Sequence, residues 1–135
     1  MIEHSKKDID KLTESIEDYL EMIYLHHRDT NEGVRLTDIA EGMGVKKASA
    51  TDAVRRLKEK GFVDHERYGR ILLTPEGERV AIAVYDKHVT ITRYIHEILH
   101  VDAATAEEDA CCIEHVISDE TFEQMKKALE EKSKA

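Results

Sequence analysis

The sequence contains no tryptophan, a single proline and few aromatic residues, which make up 5% of its 135 residues. This scarcity argues against a β-sandwich or β-barrel and favours a helix-rich protein. The two cysteines, Cys111 and Cys112, are adjacent and therefore cannot link distant segments through disulfides. No apolar run approaches the ~20 residues that cross a bilayer, and the N-terminus lacks the apolar centre of a signal peptide. We therefore expect a cytoplasmic protein of one or two small domains, whose core draws on 41% hydrophobic residues.

Charge is unevenly distributed along the chain, whose formal net charge is −9 at pH 7. Between Lys46 and Arg70 there are eight basic and four acidic residues, so that segment carries +4 and the rest of the chain −13. A local cationic field attracts phosphate even on an acidic protein. The segment is therefore compatible with nucleic-acid binding, and the acidic remainder is compatible with the binding of divalent cations.

Apolar periodicity predicts a mainly helical chain with one short β-hairpin. Thr37 stands where it would cap a short second helix, and Gly44 makes a tight turn after that helix. Thr74-Pro75 begins a long helix in the preferred manner, and Ser118 is placed to cap the last one. The predicted elements are helices over approximately residues 13–27, 36–43, 47–60, 75–99, 102–117 and 119–131, and a hairpin over residues 62–73.

The order helix, short helix, tight turn, helix and hairpin outlines a winged helix-turn-helix, a fold that binds DNA. Side chains near the N-terminus of its recognition helix reach base edges, whereas basic residues farther along the helix and in the wing meet phosphates. The alternative is a winged helix that makes only protein contacts. The DNA-binding candidates are Lys46, Lys47, Ser49, Thr51 and Asp52 near the bases, and Arg55, Arg56, Arg67 and Arg70 near phosphates.

One of these candidates, Asp52, carries a negative charge that phosphate repels. Its carboxylate has two possible roles that are compatible with DNA binding. It accepts a hydrogen bond from a cytosine amino group, or it forms a salt bridge with Arg55 or Arg56.

A second group of residues points to a metal. On a helix, Cys111, Glu114 and His115 project from one face and offer sulfur, oxygen and nitrogen donors. The alternative is that Cys111 is a small core residue and that Glu114 and His115 form a surface ion pair. Asp18 and Glu21 border the apolar stripe of the first helix, where a divalent cation would compensate buried carboxylates; a solvated helix start is their alternative.

His88 lies one turn from both Val84 and Ile91 in the long helix, and so approaches its inner face. A buried histidine with a satisfied hydrogen bond is the simpler explanation for this residue if it stands alone. A histidine is also a common metal ligand, so His88 joins the candidate set.

The chain resembles the DtxR/MntR family of metal-dependent bacterial repressors. The matching motifs are EDYLEMIY at 17–24, DIA at 38–40, LTPEG at 73–77, KH at 87–88 and DACCIEH at 109–115. The resemblance implies a winged helix-turn-helix DNA-binding domain over residues 1–74, followed by a helical metal-binding and dimerisation domain over residues 75–135, with metal bound between them. It implies a primary site of Asp18, Cys111, Glu114 and His115, and Glu21 and His88 as ligands of a second metal.

The chain departs from both branches of that family. Manganese-type members carry a carboxylate where Cys111 stands, and iron-type members carry a thioether at the position of Asp18. Iron-type members also have an acid in place of Thr92, a histidine in place of Glu107, and usually an SH3-like C-terminal domain. The resemblance therefore implies the short, manganese-type architecture with a hybrid site. We expect Fe(II) or Mn(II) as the cofactor, and Co(II), Ni(II) or Zn(II) as further metals that bind in vitro.

The sequence thus predicts a repressor for which the metal is the corepressor. It would bind double-stranded operator DNA as a homodimer and control metal homeostasis genes, with no membrane partner and no small organic substrate. Without a cation, the acidic ligands would repel one another; with it, the DNA-competent state would be selected. An enzyme with Glu114 or His115 as general base is disfavoured, because every donor is used as a ligand. The remaining alternative is a thiol-redox-sensing winged-helix regulator that uses Cys111 and Cys112.

Overall fold

A computed structural model of the chain describes residues 5–30, 32–65 and 69–134. The chain forms two compact units: residues 11–82, and residues 83–134 together with residues 5–10. Each unit has its own core of buried apolar side chains. None of the helices described is both long and apolar enough to cross a membrane. The mainly helical fold class that the sequence predicts is confirmed.

The unit of residues 11–82 is a winged helix-turn-helix. Its three strands form an antiparallel sheet in the order β1-β3-β2, in which Val34 pairs with Ile71 and Val63 pairs with Leu73. The elements of this part of the chain are α1 (Ser5–Thr30), β1 (Val34–Arg35), α2 (Leu36–Met43), α3 (Lys47–Glu59), β2 (Val63–His65), β3 (Arg70–Leu73) and α4 (Pro75–Arg93), which continues past residue 82.

Burial of one apolar face of each element holds this unit together. Leu20 of α1, Ile39 of α2 and Leu57 of α3 are almost completely buried, as is Ile71 of the sheet. The turn between α2 and α3 depends on Gly44, whose φ of 66° lies in the left-handed region that glycine adopts without strain. Its backbone N–H donates to Glu41 at 3.2 Å, which ends α2 and redirects the chain into α3.

Three features of this unit differ from the sequence prediction. Helix α1 spans Ser5–Thr30, whereas the sequence predicts a helix over residues 13–27 only. Strand β1 was not predicted, because two residues are too short a run to show an alternating pattern. Thr37 does not cap α2: the helix begins at Leu36, and Arg35 occupies the cap position without a side-chain hydrogen bond. The pairing of β1 with β3 keeps the chain extended as far as Arg35, so the helix starts directly after the strand.

Helix α4 begins at Pro75 with Thr74 as its cap, as the Thr74-Pro75 pair predicts, and further hydrogen bonds join this start to the turn before β2. The Thr74 hydroxyl donates to the carbonyl of Gly61 at 2.6 Å and accepts from the backbone N–H of Gly77 at 3.1 Å. The Thr74 N–H also donates to the carbonyl of Phe62 at 3.0 Å. These bonds satisfy helix-start donors and fix the first turn of α4 against the sheet.

The regular elements of the second unit, in its described residues, are all helices. Helix α4 continues into a π-helical segment, Tyr94–Ile98. This segment is followed by α5 (Ala103–Ile113) and α6 (Asp119–Lys134). The Asp102 carboxylate accepts from the N–H of Thr105 at 3.3 Å, and the Ser118 hydroxyl accepts from the N–H of Thr121 at 3.1 Å. Both predicted helix starts are therefore confirmed. The core of this unit contains Ile91, Ile95, Ala106, Ala110 and Phe122.

Candidate metal centre and nucleic-acid interface

Helix α3, predicted as the recognition helix, exposes the side chains expected to reach DNA. Lys46 precedes its first turn, and Lys47, Ser49 and Thr51 are exposed along that turn and the next. The Thr51 hydroxyl donates to the carbonyl of Lys47 at 2.8 Å, within the helix. Ala50, Val54 and Leu57 are buried on the opposite face. The amphipathic pattern of α3 thus directs its polar face outward.

Asp52 forms salt bridges with two arginines of its own helix, α3. Its carboxylate lies 2.5 Å from Arg55 Nη2 and 3.3 Å from Arg56 Nε, and Arg55 also contacts Glu59 at 3.0 Å. The hydrogen bond from Arg55, together with the charges of Arg55 and Arg56, holds the pKa of the Asp52 carboxyl below its ordinary value. Of the two roles that the sequence allowed for Asp52, these contacts support the salt bridge.

Replacing Asp52 with asparagine is therefore expected to tighten binding to random-sequence DNA. The change removes one negative charge and releases two arginines; one additional phosphate contact is worth about five- to tenfold at about 0.1 M salt. Fluorescence anisotropy with a labelled random-sequence duplex measures the change.

The control for this variant is Asp86→Asn, which removes the same charge at an exposed position on α4. It is expected to leave binding to the same duplex nearly unchanged. Weaker binding by Asp52→Asn, confined to sites with a cytosine at one position, would instead favour the base-reading role.

The wing contributes basic residues from its strands. Arg70 lies on β3 and is partly buried, whereas Arg67 falls outside the described residues. Arg35 was not among the predicted DNA-binding residues; it lies on β1 directly opposite Arg70 in the sheet register. A basic residue immediately before the helix-turn-helix was the available signal, but its pairing partner is set by the fold.

Three of the predicted metal ligands lie close together in the helical unit. The ligand atoms of His88, Cys111 and Glu114 all lie within 4.8 Å of one another. His88 Nδ1 is 2.8 Å from Glu114 Oε1 and 3.8 Å from Cys111 Sγ. Within the described part of the chain, no other histidine, cysteine or acidic residue belongs to this cluster.

Helix packing explains this convergence. Ile91 of α4 and Ala110 of α5 are buried in one core. His88 lies one turn before Ile91, and Glu114 lies one turn after Ala110, so each projects near the same end of the contact. Cys111 and Glu114 are three residues apart at the end of α5, which places both on one helical face.

Burial makes Glu114 the unusual member of the cluster. Its side chain is 2% exposed and that of His88 is 13% exposed, whereas Cys111 is exposed. Glu114 Oε2 is buried and receives no hydrogen bond from the described residues. Leaving such an acceptor unsatisfied costs about 1–3 kcal/mol, and more when it is charged. A divalent cation would compensate this oxygen, and nitrogen, sulfur and oxygen donors suit a transition metal.

Glu107 is a further acidic residue next to the cluster. Its Oε1 lies 3.9 Å from His88 Nε2, the ring nitrogen that faces away from Glu114. Carboxylates near the second nitrogen of a metal-binding histidine orient the ring. Glu107 departs from the iron-type pattern and was not among the predicted site residues.

The other predicted ligands are not members of this three-residue cluster in the described part of the chain. Asp18 and Glu21 are one turn apart on α1, in the unit of residues 11–82, and both are partly buried. His115 follows the end of α5 and is not part of the three-residue cluster found among the described residues. The cluster thus combines Cys111 and Glu114 with His88, which the resemblance had assigned to a second metal.

Comparison with known families agrees with this arrangement. Residues 11–71 match the family described as "Iron dependent repressor, N-terminal DNA binding domain", and residues 74–134 match "Iron dependent repressor, metal binding and dimerisation domain". A winged helix-turn-helix followed by a helical unit with clustered metal-ligating side chains defines a metal-dependent transcriptional regulator. The chain belongs to the iron-dependent repressor family, the DtxR/MntR family, whose members are transcriptional regulators and not enzymes.

Individual relatives support the same assignment. The chain is 39% identical over 119 residues to an uncharacterized HTH-type transcriptional regulator of Methanocaldococcus jannaschii, covering 88% of this chain and 95% of the relative. It is 34% identical over 107 residues to the HTH-type transcriptional regulator MntR of Lysinibacillus sphaericus, covering 78% of this chain and 75% of that protein. Both therefore match most of their length.

A solved structure of a manganese-dependent transcriptional repressor in complex with manganese has a similar fold. It superposes with a TM-score of 0.77 at 28% identity and covers 84% of this chain. The match covers 52% of that structure's chain, so this chain spans about half the length of that repressor. The family and its divalent metal cofactor follow from these comparisons.

Proposed function

We propose that this protein is a repressor that binds operator DNA as a homodimer when Fe(II) or Mn(II) is bound by the cluster at the end of α5. The observation that carries the proposal is the convergence of His88, Cys111 and Glu114 around a buried carboxylate oxygen that no described group satisfies. The family match to a metal-binding and dimerisation domain supports the homodimer.

The proposed ligand set is larger than the cluster. His88, Cys111 and Glu114 form its core, and Asp18, Glu21 and His115 are proposed as further ligands on the strength of their sequence positions. Three donors leave positions open in the coordination of a transition metal, which additional carboxylates and imidazole would fill. A thiolate among the donors favours Fe(II) over Mn(II), whereas the carboxylates suit Mn(II).

The chain's own residues supply the dependence on the metal. Glu114 is buried and acidic, Glu107 adds a second negative charge nearby, and Asp18 and Glu21 are proposed to add two more. A bound divalent cation supplies the positive charge that offsets this repulsion. If the cation favours the DNA-competent conformation, operator DNA must tighten metal binding by the same factor, typically ~1–3 kcal/mol.

A metal titration of DNA binding tests this function. The DNA probe is a duplex selected from a random library by protein loaded with Mn(II) in anaerobic buffer. Protein stripped with a chelator is expected to bind this probe about 5- to 150-fold more weakly than protein with Fe(II) or Mn(II), because the coupling energy is ~1–3 kcal/mol. Co(II), Ni(II) and Zn(II) are titrated in parallel to rank the metals.

Two outcomes would contradict the proposal. One is full-strength binding by stripped protein, and the other is failure of the selection to enrich any sequence. A random-sequence duplex serves as the control, and its binding is expected to change less on addition of metal than that of the selected probe.

The thiol-redox alternative makes an opposite prediction. Neither cysteine forms a disulfide and both are exposed, so peroxide can reach either sulfur. Under the metal proposal, Cys111→Ser and Asp18→Ala both weaken metal-dependent DNA binding, and Cys112→Ser serves as the matched control. If Asp18→Ala leaves metal dependence intact while Cys111→Ser abolishes a peroxide response, the redox alternative is correct.

A further inference from the structure

The sequence HEILH occupies residues 96–100, where the π-helical continuation of α4 ends. The pattern His-Glu-x-x-His on a helix places two imidazoles on one face, where they bind Zn(II) in metallopeptidases with the glutamate as general base. His96 lies in the π-helical segment, and His100 follows it. Neither histidine belongs to the cluster at the end of α5. The motif therefore marks a separate group of metal-ligating side chains in the helical unit.

Both histidines line one open cavity of about 410 Å³. The other lining residues are Glu97, Val101, Asp102 and Lys132. Asp102, which caps α5, offers a carboxylate to this space, and the side chains of His96, His100 and Asp102 are all exposed. Two imidazoles and one carboxylate form a ligand set that binds Zn(II) with water in the fourth position.

The backbone around His100 turns back along the helix, so that Asp102 lines the same cavity as His96. His100 has a φ of 61°, in the left-handed region that residues other than glycine seldom adopt. The Val101 N–H donates to the Ile95 carbonyl at 3.2 Å, and the Val101 carbonyl lies 2.8 Å from His96 Nδ1. These bonds hold the turn in place. Backbone strain of this kind is concentrated at functional sites.

The hydrogen bond of His96 leaves its other ring nitrogen suited to a metal. A backbone carbonyl can only accept, so Nδ1 carries the proton and Nε2 of the neutral ring carries the lone pair. Metal-binding histidines are commonly oriented in this way. The ligand atoms of His96, His100 and Asp102 do not all lie within 4.8 Å of one another. Because these side chains are exposed, they can change rotamer, and a bound cation would gather them.

The glutamate of the motif is not placed to act as a general base. Its two carboxylate oxygens contact Arg93, at 2.7 Å from Nε and 3.4 Å from Nη2. A general base must be able to take a proton from the reacting water, and a carboxylate paired with a guanidinium is poorly suited to that role. The Lys132 ammonium donates to the backbone carbonyl of Glu97 at 2.6 Å, and the Asp102 carboxylate offsets its charge in the cavity. The arrangement therefore favours metal binding without hydrolysis.

We propose that His96, His100 and Asp102 form a separate metal site that binds Zn(II) through two imidazole nitrogens and one carboxylate oxygen. The site contains no thiolate and a single carboxylate, so it favours Zn(II) over Mn(II). The inference depends neither on DNA binding nor on the cluster at the end of α5. Because all three ligands belong to the helical unit, bound Zn(II) stabilises that unit in the absence of DNA.

Zinc binding by protein that lacks the cluster tests this proposal. The background variant is Cys111→Ser with Glu114→Gln, and equilibrium dialysis with elemental analysis measures the zinc bound per chain. Adding His100→Asn to this background is expected to lower zinc affinity at least about tenfold, because even the loss of a group outside the coordination shell costs about 10–100-fold. His96→Gln is expected to have the same effect. Mn(II) is titrated in parallel and is expected to bind more weakly than Zn(II).

Thermal unfolding separates ligation from a structural role. Asparagine adopts the left-handed region more readily than most residues, so His100→Asn is expected to leave the unfolding midpoint of metal-free protein unchanged. Zn(II) is expected to raise the midpoint of the background variant, and to raise it less after His100→Asn. The matched control is His65→Gln, an exposed histidine on β2 that does not line the cavity, and it is expected to retain zinc affinity.

The inference is overturned if zinc affinity is unchanged in both His96→Gln and His100→Asn, or if His65→Gln loses as much affinity as they do. A lower metal-free midpoint in both variants, in proportion to the lost affinity, would show a structural role and would also overturn it. If metal-stripped wild-type protein binds operator DNA at full strength while His100→Asn still loses zinc affinity, the proposed function fails and this site stands.

Discussion

Replacing Glu114 with glutamine is expected to lower the affinity of the protein for Fe(II) or Mn(II) at least about 100-fold. Even the loss of a group outside the coordination shell costs 10–100-fold, and Glu114 is proposed as a direct ligand. Glu114 is buried, so a water molecule could replace the lost carboxylate oxygen as a ligand only by entering the buried side of the cluster. Metal-dependent DNA binding is expected to fall in parallel, because the two equilibria are linked.

The design of this experiment separates metal binding from folding. Glutamine has nearly the shape of glutamate and removes only the buried charge, so the fold is expected to persist. The matched control is Glu108→Gln, the same change at an exposed position on α5. Competition with a metal-binding indicator in anaerobic buffer measures affinity, and circular dichroism checks helix content. Metal affinity within threefold of the wild type in Glu114→Gln would rule out Glu114 as a ligand.

Replacing Gly77 with alanine is expected to destabilise the unit of residues 11–82 by about 3 kcal/mol or more, an effect at the upper end of overpacking. A Cβ at this position would lie 1.9 Å from the carbonyl oxygen of Phe62 and 2.8 Å from its carbonyl carbon. Both are backbone atoms, and that oxygen already accepts the hydrogen bond from the Thr74 N–H at 3.0 Å. Relieving the clash therefore requires α4 to move away from the turn before β2.

The loss of stability expected for Gly77→Ala is opposite in sign to the effect of helix propensity. Alanine in a helix interior is normally favoured over glycine by about 1 kcal/mol. The matched control, Gly42→Ala in α2, places a Cβ 3.1 Å from the Cε atom of Met22, a flexible side chain that can rotate away. It is expected to change stability by less than about 1 kcal/mol. Urea unfolding measures both variants, and a Gly77→Ala protein as stable as the wild type would contradict the packing argument.

The amino-acid sequence determined the winged helix-turn-helix and the helical unit that follows it through strictly local signals. The apolar spacing of α1 to α3, Gly44 in the turn and Thr74-Pro75 at the start of α4 each act over a few residues, so they can be read from order alone. The same holds for Cys111 and Glu114, since a three-residue separation on a helix places both on one face. Neither observation depends on knowing which helices pack together.

Tertiary structure decided the features that depend on distant residues. His88 joins Cys111 and Glu114 because Ile91 and Ala110 share a core, which no local pattern encodes. Arg35 faces Arg70 only because a two-residue strand pairs across the sheet with β3, far along the chain. Spacing along a chain specifies which side chains share a face, whereas packing between elements specifies which faces meet.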